Sequence, residues 1–487
     1  TDALLDNGQS NAAQAAQRAL DIIEKSGLEL ADTSTTQRLR AEIESNRGRA
    51  YAHMAVDADS AQAIEKWSSA IEAYRRAAPI FPAKGSDYAY NMRNLGHALY
   101  NRGSESDNAE DYRAAAEAYT AAALGFGAES DKYAATLYDE GRALHNTAAA
   151  TELADDYAAA LKVYLSALAA WKPDVNDEDR SFLEKNIGLV RFALAGKSGK
   201  SEDYRAAAAS FEASAKGFTR GGNASEALNN AYERARSLHE AAAIDDKLDA
   251  FSTTIQAYEA VVKLAGGAPE NKLTLSDSFN NIGTLYRAMS AHGDTTANLA
   301  KAIDSIQKAL AILDRLATDP KRSKEVDRST ALGNLAVTRY LLATETKSKA
   351  DYQAAAQAYD AQLAAIDRQA DEHEWGVIAN DYAFTLMLSA RDDDRTAYEK
   401  AVDLARNSVN ILEKSGNSYL GYARGTLCRA MIDLGRIDTD RTLISDGLQE
   451  CEASATLLNA RPAPDADAIA VAKADLKRGR DLLAELK

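Results

Sequence analysis

Asparagine recurs at one position of a repeated helix, here named the A helix, where its side chain could bind a peptide. Asn94, Asn186, Asn281 and Asn334 each stand two residues before a glycine or alanine. A carboxamide both donates and accepts hydrogen bonds, so it matches a peptide main chain of any sequence. The alternative, which we favour, is that each Asn bonds a backbone carbonyl where two helices pack, because buried polar groups are normally satisfied internally. Asp139 and Glu233 occupy the same position in two other units.

Basic residues on the A helices could form a stripe that attracts an acidic peptide or protein. They are Arg93, Arg142, Lys185, Arg236 and Arg287. The alternative is scattered surface charge, which contributes little. Counting outward from the glycine or alanine at helical spacing puts further polar and aromatic residues on the same face. Besides the basic residues, this predicted face comprises Asn94, His97, Tyr100, Tyr138, His145, Asn186, Tyr232, His239, Asn280, Asn281, Asn334 and Tyr340.

The chain has two cysteines, and the repeat pattern places them on facing helices. Cys428 falls at a core position of an A helix, and Cys451 follows in the second helix of the unit, here named the B helix, at the position that elsewhere holds Tyr or Phe. In an oxidising compartment they could form a disulfide, worth ~3 kcal/mol for a loop of about 23 residues in the chain-entropy model. The alternative, which we favour, is two small thiols that fill the core.

Sequence patterns typical of catalytic, phosphate-binding or metal sites are absent. The chain contains no G-x-x-x-x-G-K-[ST], H-E-x-x-H, G-x-S-x-G or G-x-G-x-x-G segment. The histidines never form a close pair and mostly recur one or more units apart, whereas metal ligands must converge on one point. They are His53, His97, His145, His239, His292 and His373. We therefore expect a protein that is not an enzyme, with no metal site and no cofactor.

The composition narrows the choice of partner. The formal net charge of −16 would repel nucleic-acid phosphates, so we expect no nucleic-acid partner. Charged residues interrupt the Ala-rich segments every few positions, so no run reaches the roughly 18 apolar residues of a membrane-spanning helix. We expect no membrane insertion.

The elements that must position these residues are two alternating helices. The B helix is clearest from Asp111 to Phe126, which reads DYRAAAEAYTAAALGF and returns with variations at 156–171, 203–218 and 351–366. Its central bulky residue recurs at Tyr74, Tyr119, Tyr164, Phe211, Tyr258, Ile306 and Tyr359, in steps of 45 to 53 residues. Small residues flank it, so the large side chain can enter a groove on the next helix. Self-similarity at such a period predicts a helical repeat array.

The A helix stands at a constant distance before the B helix. The glycine or alanine of the A helix precedes the bulky B residue by 23 residues in six units, as in Gly96 to Tyr119 and Gly141 to Tyr164. Glycine inside a helix costs about 1 kcal/mol relative to alanine, so its recurrence suggests that the facing helix approaches closely. All seven prolines fall between a B helix and the next A helix, where they break no helix.

The pattern predicts an all-α fold of about twenty helices in about ten units. We expect A helices near 34–56, 85–102, 130–147, 177–195, 224–241, 273–291, 326–345, 371–390, 417–435 and 465–485. We predict one continuous solenoid over 1–487, with an unpaired B-like helix in 1–30, helix pairs over 31–461 and a capping helix over 462–487.

The repeated motif resembles the tetratricopeptide repeat. N-[LI]-G-x-x-[LY] on the A helix precedes A-x-x-x-[AS]-[YF]-x-x-[AS] on the B helix, with Leu95, Gly96, Ala115, Tyr119 and Ala122 at matching positions. The unit here is 45 to 53 residues long, whereas the usual tetratricopeptide unit has 34. HEAT-type repeats share the longer period but lack the glycine-to-aromatic pairing. The resemblance implies a right-handed α-solenoid that binds a peptide along a concave surface lined by A helices.

Three functions are compatible with this reading. We favour a non-enzymatic scaffold or regulator that binds a protein or peptide segment in the groove. One alternative is the sensor or regulatory portion of a larger signalling or effector enzyme, and another is an exported ligand-binding or assembly solenoid. We favour a cytoplasmic location, with the periplasm or export as the alternative because the chain begins at Thr1. Homo-oligomers are compatible with open solenoid ends.

Overall fold

The computed structural model describes residues 34–486, apart from 57, 173–176, 320–321 and 323–325, together with positions 15, 18 and 21. These residues form nineteen α-helices, two short 3-10 helices and no strand. The chain divides into two compact units, residues 1–245 and 246–487. The all-α helix-pair array predicted from the sequence is confirmed. The B-like helix predicted in 1–30 lies outside the described residues, except for the three single positions, which are helical.

The first unit contains the helices α1 to α9. They are α1 (Ser34–Val56), α2 (Ser60–Ala77), α3 (Ser86–Ser106), α4 (Ala109–Phe126), α5 (Tyr133–Thr151), α6 (Ala154–Ala170), α7 (Asp177–Ser198), α8 (Ser201–Arg220) and α9 (Ala224–Asp245). Odd numbers are A helices and even numbers are B helices, and each helix packs chiefly against the helices before and after it in the chain.

The second unit contains α10 to α19. They are α10 (Leu248–Ala265), α11 (Lys272–Met289), α12 (Thr295–Ala317), α13 (Ser329–Thr346), α14 (Lys349–Ala365), α15 (Glu372–Ser389), α16 (Arg395–Lys414), α17 (Leu420–Asp438), α18 (Arg441–Asn459) and α19 (Ala466–Glu485). Two 3-10 turns, Pro269–Asn271 and Ser290–His292, flank α11. The A-helix ranges predicted from the sequence agree with these bounds to within about four residues. That the two units form one right-handed solenoid stays a prediction.

The glycine-to-aromatic spacing reports a direct contact between the two helices of a unit. A Cβ atom added to Gly96 would lie 2.7 Å from Cε1 of Tyr119, and one added to Gly188 would lie 2.8 Å from Cδ1 of Phe211. Real Cβ atoms do not approach so closely, so the bulky B residue occupies the space that a side chain on the A helix would need. The ring is completely enclosed as a result, and both Tyr119 and Phe211 are buried.

The turn from an A helix to its B helix has a recurrent backbone conformation. One residue with positive φ ends the A helix, and it is rarely glycine: Asp107 (φ 49°), Glu152 (56°), Lys347 (54°) and Thr439 (53°). A left-handed residue at this position lets its own N–H bond a carbonyl of the last helical turn, as Glu152 does with Ala148. The chain can then reverse within three residues, which holds the two helices of a unit antiparallel.

Candidate functional site

The recurrent asparagines bond side chains of neighbouring helices. Asn186 Nδ2 donates to the Tyr138 hydroxyl at 2.9 Å, and Asn281 Nδ2 donates to the Tyr258 hydroxyl at 3.2 Å. Asn334 Nδ2 donates to Asn280 Oδ1 at 3.1 Å. The alternative favoured from the sequence, in which each Asn bonds a backbone carbonyl, is wrong for these three residues. The fourth residue, Asn94, lines a hollow of about 220 Å³ beside Trp67 and His97.

In the first compact unit, an ion pair joins α3 to α5 at the predicted face. Arg93 Nη2 lies 2.9 Å from Oδ2 of Asp139, a buried carboxylate on α5. His97 Nε2 lies 3.8 Å from the same oxygen, and His97 Nδ1 lies 2.8 Å from the Tyr119 hydroxyl. Burial lowers the pKa of His97, although the charge of Asp139 opposes the shift. His97 is therefore a neutral hydrogen-bonding group at neutral pH.

Arg142 is held by aromatic side chains. Its Nη2 donates to the Tyr100 hydroxyl at 3.1 Å, and its guanidinium carbon lies 4.8 Å from the centre of the Tyr100 ring. Asn146 donates to the same hydroxyl at 3.0 Å, so α5 contacts α3 at two points. On the same helix, His145 packs near the Tyr164 ring, and burial lowers its pKa. These side chains contact one another, so their hydrogen-bonding groups already have partners within the protein.

The other basic residues of the predicted stripe also have partners. Lys185 Nζ lies 2.9 Å from Oε2 of Glu226, and Arg236 Nη1 lies 3.0 Å from Oε2 of Glu233. Arg287 Nη1 donates to Asn334 Oδ1 at 3.1 Å, and burial lowers its pKa. On α9, Tyr232 is half-buried, and burial lowers the pKa of His239. Within each compact unit, most of these bonds join one A helix to the next, as in Arg93 with Asp139, Lys185 with Glu226 and Arg287 with Asn334, and we name them the A-helix ladder. The pair of Arg236 and Glu233 lies within α9.

A different part of the molecule, in the second unit, encloses a cavity of about 570 Å³. The A helices α13, α15, α17 and α19 supply most of its wall, and the B helices α14 and α18 supply the remainder. Aromatic side chains dominate it: Tyr340, Tyr359, Phe384, Tyr419 and Tyr422. Of the residues predicted from the sequence, Tyr340 lines this cavity. Helix-lined hollows with apolar walls and few polar groups are typical ligand sites.

Asp381 is the distinctive polar residue of the cavity. Asn380 Nδ2 donates to its Oδ1 at 3.1 Å, and the described residues place no Lys, Arg or His within ion-pair distance of it. Burial raises the pKa of Asp381 to about 6. The charge of Asp381 in turn adds to the burial that raises the pKa values of Tyr340, Tyr359 and Tyr419. An ionised carboxylate therefore faces hydroxyl and aromatic groups that do not neutralise it.

The basic residue of the cavity wall is already neutralised. Arg429 Nη2 lies 2.8 Å from Oδ2 of Asp475, and the Arg429 guanidinium carbon lies 5.7 Å from the centre of the Phe384 ring. Arg478 approaches the same Asp475 from outside the wall, at 3.4 Å, and also pairs with Asp433. Of the charged residues that line the cavity, Arg429 and Asp475 are thus paired with each other, and Asp381 is the carboxylate for which the described residues supply no cation.

Sequence reasoning missed Asp381, although a signal for it was present. The B residue that should follow is the small Ala405, so the repeat looks weak at this point. Counting 23 residues back from Ala405 leads to Tyr382, so the constant spacing places Asn380, the neighbour of Asp381, at the asparagine position.

The raised pKa of Asp381 predicts how stability depends on pH. The folded protein holds this proton up to about pH 6, whereas an ordinary Asp releases it near pH 3.8. The folded state therefore binds more protons between these values, and this contribution to stability falls as pH rises through the window. We expect Asp381→Asn to raise the free energy of unfolding at pH 7 by about 1–2 kcal/mol, less than the full 1.36 kcal/mol per pKa unit because the cavity admits water.

Chemical denaturation of both proteins at pH 4 and pH 7 measures this effect. The variant and the wild type should differ little at pH 4 and diverge at pH 7. Asp393→Asn is the control, because Asp393 is an exposed carboxylate outside the cavity, and it should track the wild type at both pH values. A variant that is less stable than the wild type at pH 7 would contradict the assignment.

The two cysteines face each other on α17 and α18. Their Cα atoms lie 5.2 Å apart and the sulfur atoms are bonded, with both residues fully buried among Ile432 and Ile444. This Cα separation is within the range that a disulfide spans. The helix pair is thus joined at the position where three earlier repeats place a glycine (Gly96, Gly141 and Gly188) against an aromatic ring.

Two further properties of the described residues concern membranes and metal ions. None of their helices is both long and apolar enough to cross a membrane. In the same part of the chain, no group of three or more His, Cys, Asp or Glu side chains is arranged to hold a metal ion.

Comparison with known proteins relates the chain to solved helical-repeat structures. No family model matches the sequence, and no curated protein matches it significantly. A signal transduction ATPase with a tetratricopeptide repeat sensor from Pyrococcus horikoshii is similar, with 12% identity and a TM-score of 0.42 over 87% of this chain and 53% of that chain. The present chain thus spans about half the length of that ATPase.

The present chain matches two further solved structures over nearly their whole length. The tetratricopeptide domain of P58(IPK) is 12% identical, with a TM-score of 0.23 over 90% of this chain and 98% of that chain. A Rap protein complexed with competence and sporulation factor is 10% identical, with a TM-score of 0.30 over 93% of this chain and 100% of that chain. Structures with tetratricopeptide repeats are among those to which this chain is similar.

Proposed function

We propose that the chain is a non-enzymatic scaffold that binds a peptide segment of another protein in the cavity between α13, α15, α17 and α19. The cavity of about 570 Å³ carries the proposal. It is large enough for several side chains of a peptide, and four A helices supply its wall, so a bound segment would contact successive repeats. The same helices are fixed by their own pairing with B helices, so the site is largely formed before a ligand arrives.

The character of the wall supports a peptide ligand. Val337, Val471 and Leu458 supply apolar surface, and both valines are substantially exposed at the edge of the cavity. Thr385 and Thr426 also line the wall, where their hydroxyls donate to the backbone carbonyls of Asp381 and Tyr422 and keep only acceptor capacity for a peptide N–H. A few convergent polar groups on an apolar wall fix the orientation of a ligand, while the apolar area contributes most of the affinity.

The A-helix ladder has a different role in this proposal. Its side chains bond one another across about 41 to 54 residues of sequence, as in Lys185 with Glu226 and Asn334 with Asn280. They set the lateral spacing of the A helices, and a ligand would have to break these bonds to use them. In this proposal the face predicted from the sequence holds the A helices in position, whereas the cavity binds the ligand.

A bulky substitution at the cavity edge tests the proposal. Val471 is 47% exposed, so Val471→Trp should fold normally while its ring fills the entrance. A random heptapeptide library would be panned on the wild-type chain, and the enriched peptides would be measured by fluorescence anisotropy. We expect binding to the variant to be weakened at least ~10-fold, which is the loss of about 1.4 kcal/mol of contact.

Leu264→Trp is the matched control for this substitution. Leu264 lies in the same unit, is 53% exposed and is not part of the cavity wall. Peptides should bind this variant as they bind the wild type. A library that yields no binder, or binders that ignore Val471→Trp, would contradict the proposal.

Several expectations from the sequence stay predictions. They are the sensor portion of a larger enzyme, the exported solenoid, the cytoplasmic location and the absence of a nucleic-acid partner. Homo-oligomer formation belongs with them.

A further inference from the structure

The cavity contains a carboxylate that is not paired with any cation of the described residues. Asp381 is half-buried, yet the described residues offer it no cation within ion-pair distance. Removing a carboxylate from water without a counter-charge is unfavourable, as the raised pKa of Asp381 already shows. Elsewhere in this unit buried carboxylates are paired, as Asp475 is with Arg429.

A second acceptor next to Asp381 is also unsatisfied. Asn380 is 5% exposed, lines the same cavity and donates its Nδ2 to Asp381 Oδ1. The other end of this carboxamide, Oδ1, is buried and has no hydrogen-bond partner. Buried acceptors are normally bonded. Two neighbouring residues thus supply a carboxylate and a carbonyl oxygen that both require a donor.

The surrounding rings suit a positive charge. Tyr340, Tyr359 and Tyr419 are close enough to Asp381 for its charge to influence their hydroxyl groups. Aromatic faces attract ammonium and guanidinium groups, most strongly where water is excluded. The same wall already shows this contact, because the Arg461 guanidinium carbon lies 5.3 Å from the centre of the Tyr422 ring.

We infer that the cavity recognises a basic side chain, lysine or arginine, of the bound peptide through Asp381 and the Asn380 carbonyl oxygen, with the tyrosine rings around it. The inference rests on the proposed peptide-binding function and specifies its ligand. A lysine ammonium has three donors and no acceptor, so it can satisfy both oxygens at once. The guanidinium of Arg429 cannot serve, because Asp475 already binds it.

Matched peptides test this inference. In cavity-dependent peptides from the library, each lysine or arginine would be replaced in turn by norleucine, which keeps the length of the lysine side chain and removes its charge. We expect one such replacement to weaken binding to the wild type by about 10- to 100-fold, as for a hydrogen bond to a charged group. Exchanging lysine and arginine at that position then shows which of the two is preferred.

Asp381→Asn assigns the effect to the carboxylate. Against this variant the lysine and norleucine peptides should bind within ~2-fold of each other, because an uncharged carboxamide no longer favours the cation. Asp393→Asn, which removes an exposed carboxylate outside the cavity, should preserve the full preference for lysine. Asp381→Asn should fold, since it removes an unpaired, half-buried charge, and a thermal unfolding measurement on the variant would check this.

The outcomes separate this inference from the proposed function. Cavity-dependent peptides without a basic residue, or a lysine preference that persists in Asp381→Asn, would overturn the inference and leave peptide binding intact. A library without any peptide that responds to Val471→Trp would overturn the proposed function, and the inference with it.

Discussion

Replacing Tyr119 by alanine should lower the free energy of unfolding by about 3–5 kcal/mol, as for other large aromatic side chains removed from a core. Tyr119 is 2% exposed, and its ring occupies the space above Gly96 so closely that an added Cβ would lie 2.7 Å away. Glycine has no side chain that could move into the cavity left behind. The Tyr119 hydroxyl also bonds His97 Nδ1 at 2.8 Å, and this bond is lost as well.

Guanidinium titration of the full chain, followed by circular dichroism, measures this loss. Tyr119→Phe should cost only about 1 kcal/mol, because it removes the hydroxyl and keeps the ring. Leu124→Ala on the same helix is the control, since Leu124 is 76% exposed and its removal should change stability by no more than about 0.5 kcal/mol. A Tyr119→Ala variant as stable as the Leu124→Ala variant would show that the ring is not a core element.

Reduction of the bond between Cys428 and Cys451 should lower the free energy of unfolding of the second unit by about 3 kcal/mol. The bond closes a loop with a sequence separation of 23 residues, and in the chain-entropy model a loop of this size restricts the unfolded chain by roughly that amount. Both sulfur atoms lie in the core, so the reductant must act during unfolding.

Denaturant titrations with and without tris(2-carboxyethyl)phosphine test this prediction. The midpoint of the wild type should fall in the presence of the reductant. The double variant Cys428→Ala, Cys451→Ala should have the same midpoint in both conditions, because it has no bond to break. Thiol titration of the denatured, unreduced wild type should find no free thiol, and two free thiols would contradict the bond.

The fold could be predicted because one spacing reports one physical contact. The 23 residues from Gly96 to Tyr119 measure the path along an A helix, around a tight turn and back along a B helix until the ring meets the glycine. Any change in the turn would alter that number, so its constancy implies a constant helix pair. The helix bounds followed from the same alignment and from the confinement of proline to the other connection.

The repeat spacing does not predict the hydrogen-bond partners of the predicted site residues. Whether Asn186 bonds a backbone carbonyl or the Tyr138 hydroxyl depends on how one unit is rotated against the previous one. The repeat length sets which residues share a face, but lateral pairing needs the side-chain positions of two units together. The same holds for Arg93. In the sequence its partner Asp139 appears only as a residue that replaces the recurrent asparagine.

Asp381 shows a further limit. Its chemistry depends on the absence of a cation, and that absence results from pairings made elsewhere, such as Arg429 with Asp475. A sequence contains the number of acidic and basic residues but does not assign them to one another. The cavity itself forms where α13, α15, α17 and α19 meet, and these helices are far apart in the chain.

Within each unit, every helix packs chiefly against its neighbours in the chain, so the apolar core is a line of local contacts. In such an array the free energy of folding is approximately a sum of terms for single repeats and adjacent pairs, and damage at one repeat need not melt distant ones. A ligand in the cavity would contact α13, α15, α17 and α19 at once and would bridge repeats that otherwise contact only their immediate neighbours. Its binding would therefore make the C-terminal helices open together, as one cooperative block, in native-state hydrogen exchange.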